Sequence, residues 1–208
     1  MSKLNLSGRG LTTLEGIEFP EDLIELDISR NQLTSLQYCP PSLQRLYCYN
    51  NQLTSLQYCP PNLTFLSCFY NRLTSLQYCS PNLTYLTCCY NQLTSLQYCP
   101  QNLLQLYCFD NNLTSLQYCP ENIKYFNYVN NPLDEEYQDK NIEQINRINR
   151  INRIKHFQLG LTKINNVFLN HKASIIQRCW HDYWYKPNQN NESRMGLYYY
   201  QQYLNEIN

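Results

Sequence analysis

The chain has 208 residues, and its 16 Lys or Arg balance its 16 Asp or Glu, so the formal net charge is zero. A neutral chain does not bind nucleic acid through bulk charge, and 43% apolar against 15% charged residues excludes wholesale disorder. No apolar run approaches the ~20 residues of a membrane-spanning helix. The first ten residues lack the basic-then-apolar pattern of a secretory signal, so the expected setting is cytoplasmic and reducing.

From the N-terminus onward the chain is organised by a repeat. The segment Leu-Thr-Ser-Leu-Gln-Tyr-Cys recurs unchanged five times, beginning at Leu33, Leu53, Leu73, Leu93 and Leu113. Cysteines follow two ladders of step 20, one at Cys39, Cys59, Cys79, Cys99 and Cys119 and one at Cys48, Cys68, Cys88 and Cys108. Only Cys89 and Cys179 stand outside them. This is repeat arithmetic and not the spacing of a metal site or a disulfide scaffold, so neither a metal nor another cofactor is expected. The ladder cysteines read as small buried hydrophobes. Cys89, next to Cys88, is expected to point outward, where it would be the candidate reactive thiol.

One unit, Leu63 to Cys79, has the pattern LxxLxCxxNxLxxLxxC. Leu66 and Cys68 are two apart, so a short strand there turns both to one face. Leu63, Leu73, Leu76 and Cys79 complete the core layer. Asn31, Asn51, Asn71, Asn91, Asn111 and Asn131 recur where the chain leaves each strand, and a buried Asn side chain can satisfy backbone groups at such a bend. The Cys-Pro-Pro-Asn return segments exclude a regular helix, so the opposite side should be extended. The first copy (Leu4, Leu6, Leu11, Leu14, with Arg9 in place of Asn) and the last (Ile123, Phe126, Tyr128, Asn131, Leu133) are divergent, as end repeats must be to cap an open core.

This pattern resembles the leucine-rich repeat. In its twenty-residue length it resembles the short repeats of bacterial leucine-rich effectors, without the ubiquitin-ligase domain that follows some of those. The resemblance implies an α+β solenoid with a parallel β-sheet on the concave face. The expected organisation is a solenoid over residues 1–133 and a basic, helical region over 134–208.

The outward positions on each strand and just past it can be read off the same repeat. They are Arg45, Tyr47 and Tyr49 in one unit, and Phe65, Ser67, Phe69 and Tyr70 in the next. Tyr85, Thr87, Cys89 and Tyr90 follow, and then Gln105, Tyr107, Phe109 and Asp110. The face is unusually aromatic, and exposed aromatic clusters mark protein-binding surfaces. Tyr47, Tyr49, Phe65, Phe69, Tyr70, Tyr85, Tyr90, Tyr107 and Phe109 are the candidate partner-binding residues. Base stacking on them is disfavoured, because residues 1–143 carry 7 basic and 13 acidic residues, a balance of −6. The tyrosines at 38, 58, 78, 98 and 118 fall on the return segments and read as a structural stack.

Residues 144–208 reverse the charge, with 9 basic and 3 acidic residues, a balance of +6. Ile142, Ile145, Ile148, Ile151 and Ile154 recur every third residue. On an α-helix such a stripe winds around the surface, because three is not 3.6. Residues 161–185 form a better amphipathic pattern, and Ile176 to His181 resembles a degenerate calmodulin-type IQ motif. A last, Tyr-rich helix is expected over 193–207, capped by Ser193. The near-identical short repeats, the Asn/Ile/Tyr bias and this tail together resemble the leucine-rich-repeat proteins encoded by amoeba-infecting giant viruses (mimivirus-like), which implies a host-cell setting.

The expected function is non-catalytic recognition of a protein, with no small-molecule substrate, through the aromatic concave face. The alternative makes the basic tail the active part, engaging calmodulin, an anionic membrane or nucleic acid, with the repeats as scaffold. An enzyme, for instance a cysteine-dependent ligase, would need a fast-reacting Cys89 or Cys179.

Overall fold

The computed structural model describes residues 2–168. The chain divides into two compact units, residues 1–152 and 153–208. Within the first unit lie seven strands: β1 (Ser2–Asn5), β2 (Leu23–Asp27), β3 (Arg45–Tyr47), β4 (Phe65–Ser67), β5 (Tyr85–Thr87), β6 (Gln105–Tyr107) and β7 (Tyr125–Asn127). They pair in chain order as one parallel sheet. A 3-10 turn follows at Glu135–Tyr137, and helix α1 runs from Ile142 to Phe168. The molecule is a short leucine-rich-repeat solenoid with a helical tail.

Register explains the core. Leu26, Leu46, Leu66, Leu86, Leu106 and Phe126 occupy one column of the sheet. Leu63, Leu66, Cys68, Leu73 and Leu76 of a middle unit are all fully buried, and their equivalents in neighbouring units stack on them. Each fully buried leucine contributes about 1.5–3 kcal/mol. Cys48, Cys68, Cys88 and Cys108 are also fully buried, while Leu6 and Ile28 take the same place in the first two units. All ten described cysteines are free.

The asparagine ladder binds unit to unit, as its position suggested. Asn71 Oδ1 accepts the Leu53 N–H at 3.0 Å. Its Nδ2 donates to the carbonyls of Cys48 and Cys68, both at 3.0 Å. Asn51, Asn91, Asn111 and Asn131 repeat the pattern. One side chain thus satisfies a donor and two acceptors that the bend after the strand would leave unpaired inside the core.

The return side carries turns and no helix. Ser35 Oγ accepts the Gln37 N–H at 3.0 Å, and Ser55, Ser75, Ser95 and Ser115 do the same in their units. The next residue bends back in the left-handed region: φ is 69° at Tyr38, 68° at Tyr58, 69° at Tyr78 and 68° at Tyr98. The first copy has Gly16 there, at φ 75°, the residue that adopts this conformation without steric cost. The structure corrects the expectation of a tyrosine stack. No two of these rings contact one another, and Tyr38, Tyr58, Tyr78 and Tyr98 are each more than half exposed. The left-handed turn swings each ring outward.

Beyond Leu133 the chain keeps packing on the last repeat. The Asp134 N–H donates to the Thr114 carbonyl at 2.8 Å. Tyr137 and Ile145 are fully buried. α1 opens with a reciprocal cap, in which Asn141 Oδ1 accepts the Gln144 N–H at 2.9 Å and Gln144 Oε1 accepts the Asn141 N–H at 3.0 Å. The three-residue stripe winds as its period demands: Ile145 is buried, and four residues on the buried residue is Asn149, not an isoleucine. Asn149 Nδ2 donates to the Leu116 carbonyl at 2.8 Å, and Asn149 Oδ1 accepts from the Tyr137 hydroxyl at 3.0 Å. The sequence pattern did not single out this polar plug. Among the described residues no helix is long and apolar enough to cross a membrane. The IQ-like segment 176–181, the helix expected over 193–207 and Cys179 lie outside the described residues.

Candidate functional site on the concave face

Four columns of side chains run across the strands on the outward face. The first holds Glu25, Arg45, Phe65 and Tyr85, and the second Asp27, Tyr47, Ser67, Thr87 and Tyr107. Tyr49, Phe69, Cys89 and Phe109 form a third column just past the strands. Asn50, Tyr70, Tyr90 and Asp110 form a fourth, all in the left-handed region at φ 51–54°. Gly8 holds that position in the first copy, at φ 69°.

All nine candidate residues fall into two rows of touching rings. The first runs Tyr47, Phe65, Tyr85, Tyr107. Phe65 and Tyr85 stack at 4.4 Å and 10°, with Tyr47 and Tyr107 tilted against them at 4.9 and 5.8 Å. The second runs Tyr49, Phe69, Tyr70, Tyr90, Phe109. Tyr49 stacks on Phe69 at 4.4 Å, and Tyr70 on Tyr90 at 4.2 Å. Edge-to-face contacts join Phe69 to Tyr70 at 5.7 Å and Tyr90 to Phe109 at 5.3 Å. Ring pairs of this kind contribute about 0.5–1.5 kcal/mol beyond their area.

The stacked rings stand across the strands, so their faces meet one another and their edges face outward. Cations cover two of the remaining faces: the Arg45 guanidinium lies 4.3 Å from the Phe65 centroid, and that of Arg30 lies 6.0 Å from Tyr49. Arg45 is held in turn by Glu25 at 3.3 Å, which also pairs with Lys3 at 3.1 Å. Charge therefore closes the N-terminal side of the aromatic field. Tyr125 and Val129, exposed on the last unit, continue it at the other end.

Two outward positions turn out differently from the strand alternation. Ser67 and Cys89 are only 3% and 2% exposed. Each is a short side chain in a column of rings, so the taller neighbours close over it. The Cys89 sulfur lies 3.5 Å from Thr87 Oγ1. Burial pushes its thiol above the ordinary range, which is the opposite of what an attacking thiolate needs. Cys89 therefore lies in the outward column as expected, but it is closed over by its neighbours. Burial pushes the ladder thiols up as well, to about 12 at Cys39 and Cys59, and well above the ordinary range at Cys48, Cys68, Cys88 and Cys108. At the exposed rim, the hydrogen bond with Tyr70 and the nearby Asp110 carboxylate hold the Tyr90 phenol above its usual value. Among the described residues no group of three or more His, Cys, Asp or Glu is placed to hold a metal ion.

No protein-family model and no curated protein matches the chain. Solved structures do. The chain is similar to YopM from Yersinia enterocolitica WA-314, with a TM-score of 0.51 and 34% identity, over 57% of this chain and 27% of that one. It is similar to an internalin (InlF) from Listeria monocytogenes, with a TM-score of 0.51 and 19% identity, over 54% of this chain and 37% of that one. A functional domain of InlJ from Listeria monocytogenes, which includes a cysteine ladder, aligns with a TM-score of 0.47 and 28% identity, over 59% of this chain and 28% of that one. The chain therefore spans well under half the length of each. With the repeat pattern and the seven-stranded parallel sheet, the likeness to YopM and InlF supports a leucine-rich-repeat solenoid as the fold.

Proposed function

We propose that the chain is a non-catalytic recognition module that binds a protein through its concave aromatic face. The observation that carries this reading is the joining of nine half-buried or exposed rings into two rows, with Arg45 over Phe65 and bonded to the Tyr47 hydroxyl at the N-terminal end of the first row. Pre-stacked rings lose little side-chain freedom on binding, which favours affinity. Because the ring faces are already used, the surface offers ring edges and phenol hydroxyls. Edges carry the positive part of the ring quadrupole and suit carbonyl oxygens and aliphatic groups. Nucleobases and sugar rings need open ring faces, which this surface spends on itself.

The reading places the module in a reducing compartment, where two ladders of buried thiols stay unpaired. The giant-virus resemblance would make the partner a host protein, and rests on composition and tail alone. The alternative, an active basic tail, rests in part on residues outside the described ones.

The test is capture from amoebal extract by the full-length chain, compared with the Phe69→Ala/Tyr90→Ala variant and with Tyr58→Ala/Tyr78→Ala on the return side. A partner retained by wild type and by the return-side variant, and lost by the concave variant with its circular dichroism intact, is the expected outcome. Undiminished capture by the folded concave variant would sink the reading.

A further inference from the structure

The last rung leaves its backbone open. In the inner rungs, the N–H groups just past each strand donate to the next rung: Cys88 and Tyr90 to the carbonyls of Tyr107 and Phe109 at 2.8 and 3.2 Å, and Cys108 and Asp110 to those of Asn127 and Val129 at 2.8 and 3.1 Å. The equivalent donors of the last rung are Tyr128 and Asn130, and neither N–H has an acceptor among the described residues. On that same side, between β7 and the start of α1, lies a cleft of about 320 Å3. Phe126, Tyr128, Val129 and Ile142 supply its apolar lining, Asn127 and Asn141 neutral polar groups, and Lys124 and Lys140 its charge. Neither ammonium has an ion-pair partner among the described residues, although residues 1–143 as a whole are acidic by six charges.

We propose that this cleft binds a small organic carboxylate with an apolar body. The volume falls at the lower end of the ~300–1,000 Å3 range of small-molecule sites. The ligand's carboxylate accepts hydrogen bonds from Lys124 and Lys140, with the open Tyr128 N–H as a backbone donor, and its body lies against Phe126, Val129 and Ile142. The Tyr128 hydroxyl donates to the Lys140 carbonyl, which ties the loop carrying one lysine to the rung carrying the open donor. The positive end of the α1 dipole points the same way. Two of its N-terminal donors, the N–H groups of Asn141 and Gln144, are already capped by each other's side chains, and the lysines supply the charge for the anion. A part-apolar lining with two cations suits an organic monoanion better than inorganic phosphate, which would bury none of that apolar surface.

The experiment is a titration of the full-length chain by calorimetry and by ligand-observed NMR. The probe is hydrocinnamate, and hydrocinnamyl alcohol is its uncharged match. The acid should bind saturably and about tenfold or more tighter than the alcohol, and Lys124→Ala/Lys140→Ala should weaken the acid by about tenfold while leaving the alcohol unchanged. Val129→Trp, which fills the cleft from an exposed position, should remove both. Equal affinity for acid and alcohol, an unchanged affinity in the lysine variant, or no saturable binding to the wild type overturns the proposal.

Discussion

Tyrosine is used twice in this solenoid, with opposite results. On the concave side Tyr70 and Tyr90 sit at φ 52° and 51° and stack on one another. On the return side Tyr38, Tyr58, Tyr78 and Tyr98 sit at φ 68–69° and touch no other ring. Both sets carry the steric cost of a left-handed non-glycine residue, about 1–2 kcal/mol. Only the concave set recovers part of it through ring contacts. Residue type and unit spacing are the same in the two sets, so the direction in which the turn projects the side chain decides between a packed row and isolated rings.

The comparison breaks most completely when the layer beneath both faces is attacked. One thiol ladder lies behind the strands and the other under the return turns, and both are pushed up by burial. A buried thiol with a raised folded-state pKa stabilises the fold below its unfolded value near 9, and that contribution is lost as the pH rises from 9 toward about 12. The unfolded chain then releases protons that the folded one keeps, at up to about 1.4 kcal/mol per pH unit for each thiol. The melting temperature is therefore expected to fall steeply above pH 9, with both tyrosine sets released together. A flat melting temperature across that range would show that the thiols are not buried.

Asn71→Ala is expected to come next. It strands the Leu53 N–H and the carbonyls of Cys48 and Cys68 inside the core, at a cost of about 3 kcal/mol or more. Denaturant unfolding measures it, and a loss below about 1 kcal/mol would mean that the backbone finds other partners. The smallest effect separates the two tyrosine sets. Tyr58→Gly should stabilise by about 0.5–1 kcal/mol, since the strain relieved exceeds the added entropy of the unfolded chain. Tyr70→Gly relieves the same strain but loses its stack on Tyr90, so its net effect should lie within about 0.5 kcal/mol of zero. Equal stabilisation by both substitutions would show that the concave stacking contributes nothing.

Much of this molecule can be read from its repeat. The twenty-residue period places Leu66 and Cys68 inward, assigns Asn71 to the bend, and puts all nine candidate rings on one face. Each of these depends only on the repeat pattern and on identical neighbours one unit away. The unit-to-unit register then follows, because a slip of one residue would turn the leucine column out of the core.

Tertiary structure decided the rest. Ser67 and Cys89 occupy outward positions by alternation, yet the heights of rings on neighbouring rungs bury them. The return tyrosines face outward singly because of a backbone bend, which a propensity for ring stacking cannot reveal. In the Ile-Asn-Arg triplets, period alone could not say which residue meets the last repeat. The placement of α1 against that repeat selects Ile145 and Asn149, and leaves beside β7 the cleft flanked by Lys124 and Lys140. A repeating sequence specifies what each rung shares with the next. Where the repetition stops, or where side chains of unequal size share a column, contacts distant along the chain determine the outcome.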